Sequence, residues 1–106
     1  MTIKSRITKR SLVALEKITG SKLTFGKLLW SIRMSDELTQ TEFAEKLHIS
    51  KQHLCDLEHD RKMISPKLAA DYAKILGYSK EQFIRLSLQG ILDRAKLPFF
   101  VEVLAQ

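Results

Sequence analysis

The chain has 106 residues, a formal net charge of +6 and 44% hydrophobic side chains, enough for one packed domain and too few residues for two full cores. No apolar run approaches the roughly 20 residues of a membrane-spanning helix. The single cysteine, Cys55, excludes an internal disulfide.

Along the chain, the first region is basic. Lys4, Arg6, Lys9, Arg10, Lys17, Lys22, Lys27 and Arg33 face one acid, Glu16, within residues 1–33. Such a segment attracts polyanions or simply solvates a surface. No apolar stretch follows "MTIKSRITKR" to act as a secretory leader, so a cytoplasmic location is expected. "TKRSLVALEKITG" sets Leu12, Leu15 and Ile18 at helical spacing and stops at Gly20. Residues 1–23 are therefore expected to form a basic segment with a helix. It suits an arm along DNA, a cover for the core or a contact for a second protein.

Thr24 opens "FGKLLWSIRM", with Leu28, Leu29 and Ile32 on one face and Phe25 and Trp30 expected in the core. Thr39 and Glu42 make a Thr-x-x-Glu capping box ahead of Phe43, Ala44 and Leu47. Ser50 caps a helix carrying Leu54, Leu57 and Glu58. Ser65-Pro66 joins a hydroxyl cap to a proline at the first helical position, before Leu68, Ala69, Tyr72, Ala73 and Leu76. Ser79 and Gln82 suggest a further capping box before Phe83, Leu86 and Leu88. Pro98 interrupts the pattern. The β-branched and aromatic "FFVEVLA" then predicts a short strand over 99–105. A lone strand has unpaired backbone groups, so Phe99, Phe100, Val101, Val103 and Leu104 are expected to pair with a second copy or with a partner's sheet edge.

The break between the second and third of these capped helices is about four residues long. Leu54 and Leu57 can share a core with Phe43, Ala44 and Leu47, and small Ala44 lets the backbones approach. The outer face, with Lys51, Gln52, Cys55, Asp56 and His59, stays free. A helix presented in this way fits the major groove of B-DNA, about 12 Å wide. Gln40, Ser50, Arg61 and Lys62 lie at helix ends, where phosphates are held. Gln52 suits adenine; Lys51 suits guanine or phosphate; Asp56 suits cytosine or the orientation of a nearby Gln or Lys. His48, His53 and His59 lack partners at metal-ligand spacing. With no nucleophile–base pair and no Gly-rich phosphate loop, neither an enzyme nor a cofactor or metal is expected.

"LTQTEFAEKLHISKQHLCDLEHDRK", followed by "SPKLAADYAKILGYSKEQF", resembles the lambda-repressor-like (Cro/cI, XRE) helix-turn-helix family over residues 24–83. The resemblance implies an all-α, five-helix DNA-binding domain, here spanning 24–96. To it the residues above add an N-terminal helix and a C-terminal β-strand in 97–106. It further implies that Gln40, Ser50, His53, Arg61 and Lys62 lie on phosphates and that Lys51, Gln52 and Asp56 face the bases. Glu58 would be structural, paired with a basic residue such as Arg33. His48 and Asp60 stand where the family usually has glycine, in turns that tend to need positive φ. The helices from Ser65 onward are similar to those of Hig-type antitoxins, and the terminal strand to Hip-type ones. The expected function is a homodimeric repressor of a near-palindromic operator, serving as the antitoxin of a type II pair that autoregulates its operon. A phage-type repressor without a toxin, or a non-DNA adaptor on the same fold, is the alternative.

Overall fold

The computed structural model describes residues 22–106. The expected helix carrying Leu12, Leu15 and Ile18 lies outside the described residues. Five helices follow in order: α1 Phe25–Ser35, α2 Gln40–Leu47, α3 Lys51–Glu58, α4 Pro66–Leu76 and α5 Lys80–Arg94.

Each helix starts where a hydroxyl is available. Thr24, Thr39, Ser50, Ser65 and Ser79 accept from the backbone N–H three residues on, at 3.0–3.2 Å, satisfying donors that a helix leaves orphaned. At α2 the box closes, because Thr39 N–H donates to Glu42 Oε1 at 2.9 Å. At α5 the Ser79 hydroxyl donates instead to Glu81. Left-handed residues end α2 and α4: His48 at φ 61° and Gly77 at φ 78°.

α4 and α5 pack together most extensively, and α3 lies against both α1 and α2. Leu29, Phe43, Leu54 and Phe83 have no exposed surface, each contributing about 1.5–3 kcal/mol of burial. Phe25 meets Phe83 edge to face at 5.6 Å, joining the first helix to the last. Trp30, expected in the core, is 49% exposed. It sits about 140° around α1 from Phe25 at 3.6 residues per turn, off the buried stripe. Leu68 is likewise exposed.

Asp60, at φ 57°, has a structural task. Its carboxylate accepts from Gly26 N–H at 3.0 Å and from the Thr24 hydroxyl at 2.6 Å. The turn after α3 thus caps the start of α1. The two backbones come so close that a Cβ on Gly26 would press against Leu57 O and lie 2.7 Å from Glu58 O.

The expected C-terminal strand does not form; the described residues are helical or irregular. The backbone groups that called for a strand neighbour are met by one side chain. Gln89 Nε2 donates to Phe99 O at 2.8 Å, and Val101 N–H donates to Gln89 Oε1 at 2.9 Å. The amide thus serves alternate residues of the tail as an adjacent strand would. Phe100 lies against the Arg85 guanidinium, 5.2 Å from ring centre. Phe100, Val101 and Val103 are half-buried along α5, whereas Phe99 and Leu104 face solvent.

Candidate nucleic-acid interface

The turn between α2 and α3 is built by His48, Ile49 and Ser50. His48 N–H and Ile49 N–H close the end of α2 on Glu45 O and Ala44 O at 3.1 and 3.0 Å. Ile49 tucks against the core, and Ser50 immediately caps α3. Leu54 and Leu57 are buried beneath α3, and Ala44 is buried at the crossing. The inner face of α3 is held, and its outer face is turned away from the core.

On that outer face Lys51, Gln52 and His59 are exposed, and His53, Cys55 and Asp56 are half-buried. Arg61 and Lys62 follow in the turn, with about half of each side chain open to solvent. Asp56 gathers these groups. Its Oδ1 accepts from Gln52 Nε2 at 3.1 Å and Arg61 Nε at 2.9 Å, and Lys62 Nζ is 3.7 Å from Oδ2. Its backbone carbonyl accepts from Arg61 N–H at 2.8 Å. The Arg61 hydrogen bond, first of all, holds the Asp56 carboxyl below its usual range; partial burial opposes this, while Gln52 and the charges of Arg61 and Lys62 reinforce it. The same bond raises the Arg61 pKa. Arg61 Nη2 also donates to Cys55 Sγ at 3.2 Å. His59 Nδ1 lies 2.8 Å from Cys55 O, and because a carbonyl only accepts, this nitrogen carries the proton.

At the other end of the site, Gln40 opens α2 and is half-buried. Its Nε2 donates to Glu58 Oε1 at 3.0 Å. Glu58 accepts a two-point clamp from Arg33, Nε to Oε2 at 2.7 Å and Nη2 to Oε1 at 3.1 Å. Arg33 Nη1 also donates to Leu38 O. The Arg33–Glu58 pair thereby ties together α1, the α1–α2 turn, α2 and the end of α3.

Lys51, Gln52, Asp56, Ser50, His53, Arg61 and Lys62 are gathered on or beside α3. Gln40 joins them through Glu58 from the start of α2. Phe99, Phe100, Val101, Val103 and Leu104 belong to the tail along α5. Sequence reasoning missed the role of Asp60, whose partners are 34 and 36 residues away. It missed the Gln40–Glu58 bond too. The Gln52–Asp56 spacing of four was a local signal that the two side chains could meet.

Among the described residues, no helix is long and apolar enough to cross a membrane. A family model described as helix-turn-helix matches residues 31–83, half of the chain. No curated protein and no solved structure matches the chain.

Proposed function

This chain belongs to the XRE/lambda-repressor-like helix-turn-helix family of DNA-binding regulators, and on that premise we propose that it is a sequence-specific transcriptional repressor acting as a homodimer in the cytoplasm. The carrying observation is the outward face of α3, where Lys51 and Gln52 are exposed beside the cations of Arg61 and Lys62. In this reading α3 enters the major groove, and Lys51 and Gln52 meet base edges. Ser50, His53, Arg61 and Lys62 lie on the phosphates, and Gln40 adds a contact from the start of α2. Asp56, turned onto Gln52 and Arg61, acts on the bases through Gln52. Two copies related by a two-fold axis would read half-sites about 34 Å apart in a near-palindromic operator.

Selection of bound duplexes from a random pool tests this, followed by a salt titration of the winner. A palindromic sequence should emerge, its affinity falling steeply with salt because bound cations release counterions. Gln52→Ala should erase the preference at one position of each half-site. Binding that is flat in salt and indifferent to sequence would instead make the fold a protein-interaction adaptor.

A toxin partner is the second element of the proposal. Leu97, Phe99 and Leu104 are 45–67% exposed beyond α5, an apolar surface apart from the α3 face. On this reading a toxin covers that surface, and the complex represses its own operon. A small toxin gene beside this one, whose product binds the chain and loses binding on Phe99→Asp, would support the pairing. Full repression by the chain with no such partner would leave a phage-type repressor.

A further inference from the structure

We propose that Asp56 is a positioning residue that fixes the side-chain amide of Gln52 and thereby commits the base read by Gln52 to adenine over guanine. The inference rests on the reading of α3 as the helix that meets the bases.

The first constraint is what a carboxylate can do. Ionised, it only accepts hydrogen bonds, so the Gln52 atom facing Asp56 Oδ1 at 3.1 Å is Nε2. Gln52 Oε1 is consequently turned away from Asp56. An isolated glutamine on a helix surface would exchange these two ends by rotating its last torsion. Here rotation would set one oxygen against another. Nor can the carboxylate follow a rotating amide. Arg61 Nε holds Oδ1 at 2.9 Å, Lys62 flanks Oδ2, and the Asp56 side chain is only 14% exposed.

Adenine presents a donor, N6–H, and an acceptor, N7, in the major groove; guanine presents two acceptors, N7 and O6. An amide with one N–H given to Asp56 keeps a second N–H for N7 and all of Oε1 for N6–H. Against guanine that single N–H meets one of two acceptors, and Oε1 is left facing the other. The charge of Asp56 works in the same direction, since it attracts the adenine amino group and repels guanine O6. Discrimination thus comes from withholding a donor.

The test is selection from a random pool with the full chain as wild type, Gln52→Ala, Asp56→Ala and Asp56→Leu. Gln52→Ala identifies the position at issue. Wild type should show adenine there, and Asp56→Ala should lower the adenine-to-guanine ratio about tenfold, within the discrimination that one bidentate contact supplies. Preferences elsewhere in the half-site should stay. Asp56→Leu, similar in size and without an acceptor, should shift the ratio in the same direction and carries the test if the alanine variant does not fold. Guanine at that position in wild type overturns the inference alone. So does an unchanged ratio in both Asp56 variants with uniformly weaker binding, which would leave Asp56 as a holder of Arg61 and Lys62. If wild type enriches no sequence, the base-contact reading falls and the inference with it.

Discussion

Asp60 holds Gly26 from 34 positions away, its carboxylate accepting the Gly26 N–H at 3.0 Å, and the rear of α3 is thereby fastened to the front of α1. Gly26→Ala should therefore cost about 2–3 kcal/mol, because the added methyl meets backbone oxygens that cannot swing aside. Asp60→Ala keeps a left-handed residue and loses the cap, a loss of roughly 2 kcal/mol. Asp60→Gly loses the cap but sheds the Cβ penalty at φ 57°, so its net change should stay within about 1 kcal/mol. Urea unfolding of the three variants checks both the sizes and the order.

Arg33→Ala should be among the most damaging single changes. It leaves the Glu58 carboxylate, 1% exposed, with Gln40 as its remaining side-chain donor, and breaking such a pair costs roughly 3 kcal/mol or more. Arg33→Met with Glu58→Leu should recover much of the loss, since it removes the buried charge together with its partner. A double-mutant cycle by chemical denaturation reads the difference.

His48 takes φ 61° while exposed to solvent. His48→Gly should raise stability by roughly 1 kcal/mol, because glycine accepts this region without a Cβ penalty. A thermal melt should show the midpoint rising by several degrees.

Acid should dissolve the Asp56 cluster from one side only. Its folded pKa lies below the ordinary 3.8, so its stabilising contribution is complete above that value and is lost as pH falls through the lowered one. The stability gap between wild type and Asp56→Ala should hold from pH 7 to about pH 5 and close below about pH 4. A gap that closes at higher pH would contradict the sign.

Gln89→Ala should release the C-terminal tail while leaving the helices folded. Amide exchange at Val101, and proteolysis within 97–106, should accelerate at a global cost of about 1 kcal/mol. Equal protection at Val101 in the variant would show that Gln89 is not what holds it.

The helix starts were legible because their signals are local: a hydroxyl, and the backbone N–H three residues on. The Arg33–Glu58 pair was expected through the family resemblance. What local pattern did not carry were contacts between distant residues. Asp60 looked like a costly substitute for glycine until its partners at Thr24 and Gly26 were visible. "FFVEVLA" has the composition of a strand, but a strand also needs a neighbour, and Gln89 occupies that place. Gln52, Asp56 and Arg61 could each be named from sequence. That one carboxylate oxygen binds both of the others depends on the turn after α3.

The position of Trp30 has a practical consequence. The only indole in the chain sits half in water on the outside of α1, so its emission colour should shift little when the helices melt. The same placement makes it a useful optical probe, since a second molecule settling on that flank of α1 would dry the ring and move its spectrum to the blue.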